Sequence, residues 1–250
     1  MMLDFKNRIL AYHKARKEKL IANGKYPWFS SDKIEKQTII NALTQANVYI
    51  RGVVLDVGCG EKPYYEYLHK IARVEYYIGL DLPPNTFNKS KDSKIKADVF
   101  GDALNLPFRS NSFDTVISTQ VLEHIPEPKR MLGEIYRVLK RGGYLILTCP
   151  LIWNIHDEPH DYFRYTLYGL EHLSRQVGFD IVTIRPRAGK WGTIGQLLCN
   201  AIYFGKRKNL IIELIKVSIC CVISLLFSML DRIDWDEKLT LGYLLIAKKP

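Results

Sequence analysis

Val53-Val54-Leu55-Asp56-Val57-Gly58-Cys59-Gly60 is the stretch from which the rest of the chain is read. An apolar run this short, with no polar alternation, is the pattern of a parallel strand covered on both faces. The acid inside it and the two glycines that close it let the backbone turn sharply and let a ligand come close to main-chain amides. The stretch therefore predicts a buried strand that ends at a nucleotide-type cofactor site.

Working outward, residues 63–70 read as a helix and residues 76–81 as a second strand ending in an acid. Strand, glycine turn, helix, strand, acid is the order of a nucleotide-binding βαβ unit, and it places Asp81 where a carboxylate accepts bonds from two ribose hydroxyls. A short strand at 95–99 and a fourth at 112–118 follow. Met131, Leu132, Ile135, Val138 and Leu139 have helical spacing within 128–140, and Gly142-Gly143 is expected to stop that helix before a strand at 144–149. Thr166 can cap a helix that runs to about Val177 and is stopped by Gly178; a sixth strand at 179–184 and a last one at 241–247 complete the pattern. This alternation predicts an α/β fold, a seven-stranded, mostly parallel sheet with helices on both faces.

The glycine turn discriminates between cofactors. In a dinucleotide fingerprint the third glycine would fall at position 63, which is Pro63. That glycine permits the close helix–strand packing of a pyrophosphate site, so the dinucleotide reading fails there. A cofactor without phosphates, carrying an amino-acid carboxylate, needs only the first part of the turn and an amide-rich helix start.

Asp56-Val57-Gly58-Cys59-Gly60, Gly79-Leu80-Asp81, the run Gly101-Asp102-Ala103-Leu104-Asn105-Leu106-Pro107-Phe108, Ser112-Phe113-Asp114 and Val121-Leu122-Glu123-His124-Ile125 occur in that order. Together they resemble the class I S-adenosylmethionine-dependent methyltransferases, more narrowly the small-molecule branch with GDAxxLPF and LEHI segments. The resemblance covers roughly residues 50–185 and implies a Rossmann-like methyltransferase fold with a C-terminal antiparallel strand. It also implies S-adenosyl-L-methionine as cofactor. Asp56, Gly58 and Gly60 would lie around its methionine and ribose portions, with Asp81 on the ribose hydroxyls. Asp102 would take the adenine amino group, the Ala103 backbone the adenine edge, and Leu82 would pack on the ring. Gln120 would approach the methionine end. Glu123-His124 reads as family architecture at a helix start. A sulfonium makes the methyl group electrophilic already, so the protein mainly has to align donor and acceptor.

The strand at 144–149 runs into Pro150-Leu151-Ile152-Trp153-Asn154-Ile155-His156-Asp157-Glu158-Pro159-His160-Asp161-Tyr162-Phe163-Arg164-Tyr165. At the carboxyl end of a sheet strand, this loop should overhang the ligand crevice. His156 or His160 could take a proton from an acceptor hydroxyl. Arg164 could pair with a substrate carboxylate or phosphate, and Trp153 and Tyr162 could pack on a sugar or aromatic ring. His156 and His160 have ligand-like spacing, but Pro159 between them opposes a regular helix presenting both, so no metal site is expected.

The chain has 250 residues, 47% hydrophobic and 25% charged, enough for one substantial core, and a formal charge of +10 that fits an anionic partner. Five cysteines without metal-ligand spacing point to a reducing compartment, and residues 1–19 lack the apolar core of a secretory signal, so a cytoplasmic body is expected. Four regions are expected: a basic helical extension at 1–50, with Phe5, Ile9 and Leu10 on one side and a second helix capped by Ser31 or Asp32; a cofactor-binding core at 51–187; an apolar helical insertion at 188–238; and the final strand at 239–250. Residues 210–230 are apolar apart from Glu213, Lys216 and a few small polar residues, and Lys206, Arg207 and Lys208 precede them. The run is long enough to cross a bilayer, but strands on both sides of it belong to one sheet. An anionic membrane surface contacted through 206–230 is therefore one reading, and a buried helix pair or homodimer surface the other.

The expected function is methyl transfer to a small molecule, at oxygen, on a sugar or lipid-linked envelope intermediate. A nucleic-acid methyltransferase is opposed by dispersed basic residues and by the absence of an Asn-Pro-Pro-Tyr segment. A non-catalytic S-adenosylmethionine-binding module is the third reading, since a fold alone does not fix function.

Overall fold

The computed structural model describes residues 14–27, 30–84, 86, 95–203 and 210–250. The face expected from Phe5, Ile9 and Leu10, and the basic cluster Lys206-Arg207-Lys208, lie outside these residues.

Seven strands form one sheet: β1 Arg51–Val57, β2 Arg73–Asp81, β3 Val99–Phe100, β4 Phe113–Thr119, β5 Leu139–Pro150, β6 Asp180–Pro186 and β7 Gly242–Lys248. Their spatial order is β3-β2-β1-β4-β5-β7-β6. β3, β2, β1, β4 and β5 are parallel, whereas β7 runs antiparallel between β5 and β6. The helices are α1 Lys33–Gln45, α2 Tyr65–Ile71, α3 Pro128–Val138, α4 Leu167–Val177, α5 Lys190–Tyr203 and α6 Leu210–Ile233, and residues 14–21 are also helical.

The two-residue period of the strands divides the core. Leu55, Val57, Val116, Leu145, Leu147, Leu245 and Ala247 point to one face, where Met131, Leu132, Ile135 and Val138 of α3 and Leu170 of α4 cover them. Val54, Ile117, Ile146, Leu244 and Ile246 point to the other, under Ile39, Ile40 and Leu43 of α1 and Leu68 of α2. Helices on both faces explain why β1 and β5 carry apolar side chains in succession.

Three expectations are corrected. The helix over 128–140 ends at Val138, and β5 starts directly at Leu139. Gly142 (φ 76°) sits inside that strand, and the β4–β5 register shifts between Phe113 and Thr115, so the glycine pair absorbs an irregularity of the strand instead of terminating the helix. The strand expected over 95–99 shrinks to Val99–Phe100, because the amides of Lys96 and Asp98 bond Gly60 O and Gly79 O outside a ladder. The start of α1 has no side-chain cap: the Asp32 carboxylate accepts from the Ser30 hydroxyl and lies 3.5 Å from that of Tyr26. By contrast, Thr166 Oγ1 accepts from Gly169 N at 3.1 Å and Gly178 (φ 106°) closes α4.

The flanking segments are fastened to the core by polar contacts. Arg187, just past β6, pairs with Glu35 of α1 at 2.9 Å with both side chains buried, and Gln196 of α5 bonds Ser31 O and the Glu35 amide. Cys199 and Gly195 of α5 pack on Cys220 and Phe227 of α6; a Cβ at Gly195 would lie 2.5 Å from that of Phe227, so only glycine allows this approach. The opposite side of α6 faces outward. Ile211, Leu214, Val222, Leu226, Met229 and Ile233 are all exposed.

Candidate functional site

In β3-β2-β1-β4 the chain leaves β1 in one direction and returns at β4 on the other, and a crevice opens beyond the carboxyl ends of such a pair. Those ends carry Gly58 to Gly60, Asp81 and Leu82, and Gln120. Gly58 (φ 77°) and Gly60 (φ 53°) take left-handed conformations, and the amides of Gly58 and Cys59 both donate to Leu80 O. A Cβ at Gly58 would lie 2.3 Å from Cγ2 of Val121, so the turn after β1 is pressed against the segment just beyond β4.

Asp81 is buried at the end of β2. Its Oδ2 accepts from Gly60 N at 2.7 Å and its Oδ1 from Leu82 N at 2.8 Å. A carboxylate offers about four lone-pair sites, so each oxygen retains acceptor capacity beyond these amides. Asp56, also buried, takes a hydrogen bond from the Tyr77 hydroxyl on Oδ2, whereas Oδ1 has no partner. Burial pushes its carboxyl up to about 7. Gly101 N bonds Asp81 O, which brings the loop with Asp102 and Ala103 to the same edge. Asp102 is exposed and its Oδ1 accepts from Leu104 N, Ala103 is buried, and Leu82 is half-buried. Gln120 has φ 56°, rare for a side chain with a Cβ, and is held there by bonds from its amide to Thr148 O and from Nε2 to Thr148 Oγ1.

The loop after β5 is stitched to the segment after β4. The amides of Tyr162 and Phe163 donate to Glu123 O, and the Tyr165 hydroxyl donates to Leu122 O. Within it, Arg164 is committed: its two terminal nitrogens lie 2.6 and 2.7 Å from the two oxygens of Asp161, and further bonds go to Phe163 O and Asn154 O. This pairing holds the Asp161 carboxyl down at about 2. Arg164, expected to pair with a substrate anion, is engaged by Asp161 in this structure and clamps the loop. Trp153, expected to pack on a substrate ring, is partly buried at the edge of the core against Ile34, Ala188 and Leu241. Tyr162 is exposed, and its hydroxyl lies 3.1 Å from Nδ1 of His160.

Of the two candidate bases, His156 and His160, only His156 meets another imidazole ring among the described residues. His156 stacks edge-on against His124, with centroids 4.7 Å apart, and Glu123 lies beneath. The Glu123 side chain is 0% exposed, neither oxygen has a hydrogen-bond partner, and burial pushes its carboxyl up to about 8. Burial also lowers His124, against the opposing bond of its Nδ1 with His160 O. The adjacent Glu-His pair was visible in the sequence, but its convergence with His156 arises only when the two loops are brought together.

A methyltransferase-domain family profile matches residues 55–147. Among curated proteins, 2-methyl-6-phytyl-1,4-hydroquinone methyltransferase 2 of Oryza sativa subsp. japonica is 28% identical over 60% of this chain and 46% of its own length. A fatty-acid O-methyltransferase of Mycolicibacterium smegmatis is 34% identical over 49% and 46%. The chain spans about half the length of the curated relatives it matches. Among solved structures, phosphoethanolamine N-methyltransferase 2 of Haemonchus contortus with S-adenosyl-L-methionine aligns at TM-score 0.55 and 19% identity over 86% of this chain and 52% of that one. An S-adenosylmethionine-dependent methyltransferase of Archaeoglobus fulgidus aligns at 0.53 and 19% over 86% and 94%, which shows the shared fold. The matched methyltransferase domain, the methyltransferases among the relatives and the shared fold support the class I S-adenosylmethionine-dependent methyltransferase family, whose cofactor is S-adenosylmethionine. The site suits that cofactor: an unpartnered buried oxygen of Asp56 fits a cationic amino-acid end, and Asp81 with acceptor capacity to spare fits a pair of vicinal hydroxyls.

Proposed function

We propose that this chain methylates an oxygen of a small, lipid-linked acceptor while lying on an anionic membrane surface. The observation that carries the reading is the outward face of α6. The helix has 24 residues, about 36 Å at 1.5 Å per residue. It is long and apolar enough to cross a membrane, and almost none of its apolar window is buried. It does not cross one in this reading, because β6 and β7 on either side of α5 and α6 are neighbours in one sheet. A helix lying in the interface, with Trp235 exposed at its end and the sequence Lys206-Arg207-Lys208 before it, accounts for the exposed face. Relatives named for fatty-acid and phytyl-hydroquinone methylation support an apolar acceptor.

S-adenosylmethionine supplies a methyl group already activated on a sulfonium. Asp81 and Asp102 hold its nucleoside end, Asp56, Gly58, Gly60 and Gln120 face its methionine end, and Leu82 and the Ala103 backbone border the adenine. With the donor fixed, the chain has to align the acceptor oxygen and remove its proton. His160, coupled to the Tyr162 hydroxyl, is the better placed of the two loop histidines, since the ring of His156 is turned onto His124.

The test is flotation of the full chain with vesicles containing anionic lipid. Ile211→Glu, Val222→Glu and Met229→Glu together should abolish flotation and leave the melting temperature unchanged. Unaltered flotation would remove the interfacial reading. Loss of a dimer in sedimentation, without any vesicle binding by the parent chain, would show that α6 pairs with a second copy.

A further inference from the structure

Outside the cofactor crevice, the groups least explained by the fold are those around Glu123. A carboxylate with no exposed surface and no hydrogen-bond partner on either oxygen is costly to keep, and such a group in a folded protein calls for an ion or another explanation. What surrounds it is not a random set of side chains. One ligand atom each from Glu123, His124 and His156 lie within 4.8 Å of one another. His124 Nε2 is 3.9 Å from Glu123 Oε1 and 4.0 Å from Asp157 Oδ2.

Both rings are oriented through their other nitrogen. His124 Nδ1 bonds His160 O at 2.8 Å, and His156 Nδ1 bonds Asn154 O at 3.0 Å. A backbone carbonyl accepts only, so each Nδ1 carries the proton and each Nε2 presents its lone pair. This is the second-layer arrangement that fixes the tautomer of a metal-binding imidazole. Asp161, held by Arg164, accepts from the His156 amide and steadies the loop that carries this ring.

We propose that Glu123, His124 and His156 form a binding site for a divalent transition-metal ion of the zinc class, with Asp157 or a solvent oxygen as fourth ligand. Two imidazoles and a carboxylate suit such an ion better than magnesium or calcium, which prefer all-oxygen sets. With bonds of about 2.0–2.1 Å, tetrahedral ligand atoms are about 3.4 Å apart, so atoms now within 4.8 Å of one another need to close by up to about 1.4 Å. The ion would join the segment after β4 to the loop after β5, the two walls of the acceptor side. The ligands come from positions 123–124 and 156, and Pro159, which opposes a site built on His156 and His160, has no bearing on this one.

The test uses the full chain stripped with a chelator and titrated with Zn²⁺ by calorimetry, with Co²⁺ absorption as a second readout. One ion per chain is expected, and Co²⁺ should give the intense visible bands of a four-coordinate site. Glu123→Gln, close to isosteric, and His156→Ala should each weaken binding at least about tenfold, since even the loss of a partner behind a ligand costs about 10- to 100-fold, whereas His172→Ala on the outer surface of α4 should not. Chelation should lower the melting temperature of the parent chain and leave that of Glu123→Gln unmoved. Absence of stoichiometric binding, or affinity in Glu123→Gln and His156→Ala equal to that of the parent chain, would overturn the proposal. So would Co²⁺ bands that persist in both variants.

Discussion

Asp81→Ala separates the two tasks that the structure gives this carboxylate. In the folded chain it accepts the amides of Gly60 and Leu82, both at half-buried positions, so its removal leaves two donors to weak solvation. The stability cost is about 1–3 kcal/mol. Its proposed task in binding is to accept two ribose hydroxyls. Hydrogen bonds to a charged group contribute about 1.5–3 kcal/mol each, so the pair amounts to about 3–6 kcal/mol, or a loss of about 10²- to 10⁴-fold in affinity. A ligand at about a hundred times its Kd stabilises the parent chain by about 2.7 kcal/mol; at the same concentration a variant weakened about a hundredfold gains only about 0.4 kcal/mol. Calorimetry with S-adenosylhomocysteine measures the first quantity, and denaturant unfolding with and without it measures the second. Asp81→Asn should recover part of the stability, since one oxygen remains to accept an amide, but not the affinity. A folded Asp81→Ala chain that binds within about threefold of the parent, under about 0.7 kcal/mol, would refute the assignment.

The Asp56 carboxyl, raised by burial from 3.8 to about 7, is protonated below that pH when no ligand is bound. A cationic ligand end favours the carboxylate, so S-adenosylhomocysteine should bind about tenfold more weakly near pH 6 than near pH 8, and Asp56→Asn should flatten the profile. A slope of the opposite sign, or one that survives in Asp56→Asn, would place the cationic end elsewhere. Glu35→Ala leaves Arg187 buried without its partner, 2.9 Å away in the parent chain. Breaking a buried pair costs about 3–5 kcal/mol, which denaturant unfolding would detect; a loss below about 1 kcal/mol would show that α1 is not held by this contact.

How much of this could be read beforehand depends on the sequence distance over which each feature is determined. The glycine turn and Asp81 were legible because strand, turn and acid form one local unit, whose backbone conformations and amide partners lie within about twenty-five residues of one another. The two ends of the apolar insertion were placed for a similar reason: strand-like runs on both sides required a return to the same sheet, and β7 does pair with β6. Gly142-Gly143 misled because glycine after an amphipathic run signals a helix stop, yet the same residue can absorb a register shift within a strand, and only the β4 partner reveals which. Arg164 was legible only in part. A cation in a ligand-facing loop reads as an anion receptor until Asp161, three residues earlier, is seen to occupy it with both oxygens. The acceptor side was the least legible because its contacts join residues far apart in the chain: Glu123 O to the amides of Tyr162 and Phe163, and His124 to His156 across thirty-two positions. No periodicity encodes such a meeting. The consequence is physical as well as interpretive. The donor end rests on backbone geometry that few substitutions can satisfy, whereas the acceptor end rests on side chains from two separately variable loops, so changes of acceptor should arise at 151–165 and leave the turn at 58–60 untouched.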